Sequence, residues 1–209
     1  MWKTKPYVHP KLPMKNILTI VILLLSHLTI AQKSDDIQLA NEYFINGDLE
    51  KAQDLYRSLA NNPKNISIIH NNYLKLLFDL EEYKEAEKYL KRISKIFPKN
   101  VYYEIDKGFL LRELGEEAES NNLFNSIIDK NKGNQYVIRQ VSQYFINKRF
   151  YDFSLKALKA SRQSSKTLDQ HALELANVYR FLGRKTEMIE EYLLFARQRP
   201  NNLNYIKNI

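Results

Sequence analysis

"YKEAEKYLKRISKIFPKN", Tyr83 to Asn100, carries the apolar spacing of an amphipathic helix and runs into Pro98, which a helix interior does not accept. A lone helix of this kind cannot bury its own apolar face, so something else in the chain must cover it. Shifted by 34 residues, the stretch finds itself. Ala52, Ala86, Ser120, Ser154 and Met188 share one phase, and Tyr56, Leu90, Phe124, Leu158 and Tyr192 follow four residues later. Tyr43, Leu77, Leu111, Phe145 and Tyr179 stand nine residues ahead of the first column, and Ala40, Leu74, Gly108, Ser142 and Ala176 stand three before those. Four columns therefore hold over five units with no insertion between them.

The columns predict a helix pair in each unit, with three- and four-residue spacings marking one face on each helix. Mostly small residues in two columns allow close approach, and aromatics or leucines in the other two fill the space beside them. Gly47, Gly115 and Gly183 fall where the first helix must end, the place of a left-handed C-cap. Glu81 and Arg149 hold that place in the other two units and predict a different turn there. Pro98 and Pro200 are expected to end the second helix of units two and five, and Pro63 that of unit one, a residue early.

This pattern resembles the tetratricopeptide repeat across residues 33–202, in units 33–66, 67–100, 101–134, 135–168 and 169–202. The match is strongest at 67–100, through Tyr83, Ala86, Phe97 and Pro98, and at 169–202, through Leu175, Ala176, Tyr179, Leu182, Gly183 and Pro200. Units three and four depart from it: Ser replaces the second-helix Ala, and Lys132 and Lys166 replace the proline. The tryptophan of the family's pattern is missing, with Asp36, His70, Glu104, Ile138 and Ala172 in its place. The resemblance implies an all-α fold, a right-handed α-solenoid of antiparallel helix pairs. Residues 203–209 begin a sixth unit and stop within its first helix, which predicts a longer protein or a fragment, since solenoids need a solvating cap.

Composition agrees with helices. The 209 residues are 44% hydrophobic and 27% charged, with only 5 Gly and 6 Pro, too few for many short strands joined by tight turns. No cysteine is present, which excludes disulfides, thiol catalysis and cysteine-bound metal.

Residues 1–31 read as a leader. Ile17 to Ala31 is apolar but for Thr19, Ser26, His27 and Thr29, follows Lys11 and Lys15, and ends on a small-x-small site, Thr29-Ile30-Ala31, before Gln32. The run is shorter than the roughly 20 residues of a spanning helix, so cleavage and export are expected, with no membrane span afterwards, in the periplasm or cell envelope of a bacterium. Met14 is the natural start. Taking the four leader lysines from the 32 basic side chains leaves 28 against 24 acidic, a net charge of +4 spread evenly, and no nucleic-acid partner is expected.

Chemistry is sparse. Only His70 and His171 remain after the leader, on different units, and neither phosphate-loop, dinucleotide, zinc-protease nor nucleophile-elbow motif occurs. His70 is expected to pack in the core, and the paired acids Glu81-Glu82 and Glu116-Glu117 to serve helix starts. No enzyme activity, cofactor or metal is expected.

What the resemblance implies instead is a concave groove lined by first helices, binding another protein or peptide. Its inward positions fall on Ser34, Ile37, Asn41 and Phe44; Ile68, Asn71, Lys75 and Phe78; Tyr102, Ile105, Phe109 and Arg112; Tyr136, Arg139, Gln143 and Ile146; and Gln170, Leu173, Asn177 and Arg180. Twelve carry the expectation of partner contact: Asn41, Phe44, Asn71, Lys75, Tyr102, Phe109, Arg112, Tyr136, Arg139, Gln143, Asn177 and Arg180. Amides can bond a ligand's backbone, aromatics give rigid contact, and the cations suit an acidic segment. The family's clamp for an acidic chaperone tail is not reproduced, because Ile37 and Leu173 precede Asn41 and Asn177 by four residues where a lysine would be needed. The function expected is thus an exported protein–protein interaction scaffold. The alternative is a structural spacer of a longer envelope protein, self-associating through its uncapped C-terminal end.

Overall fold

The computed structural model of the chain describes residues 35–165 and 167–202. The expected leader, Ser34, Lys166 and the expected start of a sixth unit at 203–209 lie outside them. All regular structure among the described residues is helical: α1 (35–46), α2 (Leu49–Leu59), α3 (Pro63–Asp79), α4 (Tyr83–Ile96), α5 (Val101–Glu113), α6 (Glu117–Asn131), α7 (Gln135–Asn147), α8 (Tyr151–Ser164), α9 (Ala172–Phe181) and α10 (Lys185–Gln198), followed by a single 3₁₀ turn, Pro200–Asn202. The helices α2, α4, α6, α8 and α10 begin at 49, 83, 117, 151 and 185, each 34 residues after the last. The chain divides into two compact units, residues 1–82 and 83–209.

In the first unit Tyr56 is fully buried, with its ring 6.4 Å from Phe44 and 5.8 Å from Tyr73. Its hydroxyl donates to Asn41 Oδ1 at 2.6 Å, and Asn72 Nδ2 donates to the same oxygen at 2.8 Å, so one amide ties α1, α2 and α3 together. His70 is 5% exposed on α3, as the packed-histidine reading expects.

In the second unit helix pairs α5–α6, α7–α8 and α9–α10 stack in chain order, each against the next, as a helical solenoid does. The core is richest in units three and four, where Phe109, Phe124, Phe145, Phe150 and Phe153 form a ring cluster with centroids 4.8 to 6.5 Å apart. Gly108 makes room for it, since a Cβ there would run into the Phe124 ring. The serines that weaken the repeat pattern are buried and bonded. Ser142 and Ser154 share a 2.7 Å hydrogen bond, and Ser120 Oγ accepts from Arg112 Nε at 3.2 Å. A serine thus fits an alanine-sized site when its hydroxyl has a partner.

The turn after each first helix corrects one expectation. Glu81 and Arg149 do not use a different turn: their φ values are 58° and 64°, against 83°, 78° and 71° for Gly47, Gly115 and Gly183. All five turns close with the same bond pair. The left-handed residue donates to the carbonyl three back, and the residue after it donates to the carbonyl five back, as in Arg149 to Ile146 (2.9 Å) and Phe150 to Phe145 (2.8 Å). Register overrides residue preference there, because the second helix must start where its apolar column meets the core.

Helix starts hold two further corrections. Asn100 and Asn134 cap α5 and α7 by accepting the N–H of Tyr102 and Val137. Position 66, one repeat earlier, is Ile, and the cap moves back to Asn62. Pro63 is then the first residue of α3, not the terminator of α2, and lengthens α3 by a turn. Position 168 is Leu, and no cap replaces it. Consequently α9 begins only at Ala172, behind His171 in left-handed conformation, and Gln170 lies outside the helix on which it was expected.

Candidate partner-binding surface

In the first unit the face carried by α1 and α3 is partly committed. Asn41 is held by Tyr56 and Asn72, and Phe44 is half-buried against Tyr56. Lys75 bonds Asp79 at 2.6 and 2.8 Å and lies 5.9 Å from the Phe44 ring. Asn71 is exposed, as is Ile68 at 61%.

In the second unit α5, α7 and α9 bring together a different set. Tyr102 is half-buried with its ring 4.9 Å from Tyr144, and Tyr136 stands 70% exposed in its electrostatic range. Tyr144 is itself fixed, because its hydroxyl donates to both oxygens of Asp106 at 2.9 Å, and Asp106 is fully buried. Burial first, then the Asp106 carboxylate, pushes the Tyr144 phenol far above its ordinary pKa, so it stays a proton donor throughout the usable pH range. Burial also raises the Tyr102 phenol. Lys148 approaches Asp106 at 3.9 Å and lies over the rings of Phe109 and Tyr144 at 5.4 and 5.7 Å. An anchored tyrosine pair beside an exposed tyrosine is a rigid aromatic surface of the kind that dominates interfaces. Beside it a recess of about 550 Å³ is lined by Phe97, Pro98, Val101, Tyr102, Val137 and Gln140, among others.

Two predicted contacts are not available. Phe109 is 6% exposed, enclosed by Phe124, Phe145 and Phe150, and belongs to the core. Arg112 turns onto its own helix pair, where it bonds Glu117, Ser120 and Asn121 on α6 and covers the Phe150 ring at 5.4 Å. Arg139 remains 57% exposed but pairs with Glu174 at 2.7 Å. Gln143, exposed, bonds Asn147 at 2.9 Å, and Arg180, also exposed, donates to half-buried Asn177 at 2.7 Å. Lys75, Arg112 and Arg139 therefore each already face a carboxylate.

Sequence reasoning missed Tyr144, Asp106 and Glu174. Asp106 and Tyr144 are 38 residues apart, one repeat plus one helical turn, and Arg139 and Glu174 are 35 apart. Complementary side chains at about one repeat's separation were the signal available. Among the described residues no group of three or more His, Asp or Glu is placed to hold a metal ion, and no helix is long and apolar enough to cross a membrane.

Residues 69–100 match the family model of the tetratricopeptide repeat. A TPR repeat-containing protein of Methanocaldococcus jannaschii is 29% identical over 136 residues, covering 61% of this chain; the chain spans 23% of that relative's length. Among solved structures, a tetratricopeptide repeat protein of Parabacteroides merdae is 18% identical with a TM-score of 0.42, covering 80% of this chain and 67% of its own. PilF of Pseudomonas aeruginosa is 17% identical with a TM-score of 0.42, covering 90% of this chain and 93% of its own.

Proposed function

We propose that the protein is an exported, non-catalytic scaffold that holds a segment of a partner protein on the face of α5, α7 and α9. The observation that carries this reading is Tyr136, a large side chain left 70% exposed beside the braced Tyr102–Tyr144 pair. The pairing of Lys75, Arg112 and Arg139 with carboxylates shifts the partner's expected character. Aromatic contact leads, and an acidic segment would have to compete with bound acids. Export rests on the apolar stretch ending at Ala31.

The test is capture of partners in the native host by cross-linking and quantitative mass spectrometry, comparing wild type with Tyr136→Ala and Arg139→Glu variants. A small set of envelope proteins lost with Tyr136→Ala at unchanged helicity supports the reading. The same set captured by both proteins would sink it. The mature N-terminus, read in the same experiment, is expected at Gln32.

A second reading, assembly with copies of itself or with adjoining chain, is favoured by α10. Ile189 and Leu193, one turn apart, are 52% and 62% exposed. Gln53, Glu87, Asn121 and the buried Leu155 occupy the first position in earlier units, and Arg57, Lys91, Asn125 and Lys159 the second. Ile189→Lys with Leu193→Glu is expected to abolish any concentration-dependent association in sedimentation. Association unchanged by both substitutions would remove this reading.

A further inference from the structure

The joint between α8 and α9 buries a cluster of polar side chains beside the stacked Tyr151 and Phe181 rings. His171 is 2% exposed there, and its backbone is left-handed at φ 61°. Its Nε2 lies 3.1 Å from Ser161 Oγ and 3.1 Å from Gln170 Nε2. Gln135 Nε2 donates to Gln170 Oε1 at 2.9 Å, which fixes the Gln170 amide with its nitrogen toward Ser161 and His171. His171 Nε2 must then accept, and its proton sits on Nδ1, which is buried with no hydrogen-bond partner.

The charges around the joint are already matched. Arg139 of α7 pairs with Glu174 of α9 at 2.7 Å, and Arg162 of α8 with Glu191 of α10 at 2.7 Å. Arg199, after α10, pairs with Asp169 of the connecting segment at 2.8 Å. Arg162 also donates from Nε to the Gln170 carbonyl at 2.8 Å. A second proton on His171 would set a donor against the Gln170 donor and place a charge in a buried site beside two guanidinium groups. Each flanking carboxylate is taken.

We infer that this joint is an acid-sensitive hinge: protonation of His171 breaks the Ser161–Gln170–His171 contacts and loosens α9 and α10 from α8. Burial foremost, with Arg139 and Arg162 adding to it and Glu174 opposing, holds the histidine below its ordinary pKa. The unfolded or opened chain takes up the proton more readily than the closed one. The joint is therefore at full strength above the ordinary histidine pKa of about 6.5 and weakens as pH falls below it, by at most about tenfold in its opening equilibrium per pH unit.

Hydrogen exchange of the full chain, corrected for intrinsic rates, tests this between pH 7.5 and 5.5. Protection of α9 and α10 is expected to fall severalfold on acidification while α5 and α6 hold. His171→Asn, uncharged and tolerant of the left-handed backbone, is expected to lose that pH dependence. An equal acid loss in the variant would overturn the inference. Should the variant fail to fold, the His171 ring resonance of the wild type decides: a midpoint below 6.5 supports the hinge, and one at or above 6.5 overturns it.

Discussion

Replacing Arg149 by glycine should make the protein more stable, although it deletes a whole side chain. Arg149 sits at φ 64° with its side chain exposed, and the turn it forms is bonded identically to the glycine turns at 47, 115 and 183. The left-handed conformation costs a non-glycine residue about 1–2 kcal/mol. Glycine removes that penalty but gives the unfolded chain more freedom, worth about 0.4–1 kcal/mol in the opposite direction. The net is a gain of about 0.5–1 kcal/mol, seen as a higher urea midpoint at unchanged slope. Arg149→Ala should be nearly neutral, since it keeps the backbone penalty. The converse, Gly115→Ala, should lose about 1 kcal/mol from the backbone alone, because a Cβ there meets nothing within 4 Å. The reasoning fails if Arg149→Gly destabilises the protein, or if Arg149→Ala stabilises it as much, since the effect would then lie in the arginine and not in φ.

Two further substitutions probe the core of units three and four. Gly108→Ala drives a methyl into the Phe124 ring and is expected to lose about 2 kcal/mol in thermal or urea unfolding despite alanine's better helix propensity; Phe124→Leu in the same chain should recover most of it. Tyr144→Phe removes the hydroxyl that donates to both oxygens of the buried Asp106 carboxylate at 2.9 Å, and a loss of about 2 kcal/mol by the same assay is expected at neutral pH.

The architecture was legible because its signal is periodic. Columns such as Ala52/Ala86 and Tyr56/Leu90 recur at a fixed interval and are buried wherever a following helix pair covers them. What escaped were the points where one unit departs from the rest. The Glu81 and Arg149 turns could not be read from residue preference, since the bonds to Leu77 and Phe145 are dictated by the position of the next helix. The late start of α9 was visible in principle, as a leucine at 168 where Asn100 and Asn134 cap. The binding surface was less legible. Phe109 and Arg112 satisfy the positional rule for the inward face, yet their fate depends on Phe124, Phe150, Glu117 and Asn121 on other helices, and position within a repeat carries no information about how far a long side chain will turn.

The polar joint at His171 gives the second unit a fault line. Units three and four are welded by edge-on and tilted phenylalanine rings, whose cohesion does not rest on charge, whereas the last helix pair is fastened to α8 through Arg162–Glu191 and the Ser161–Gln170–His171 contacts beside a single ring stack, Tyr151 on Phe181. Under tension along the chain, or in concentrated salt, α9 and α10 would peel away first as a pair and leave the phenylalanine-bound segment standing.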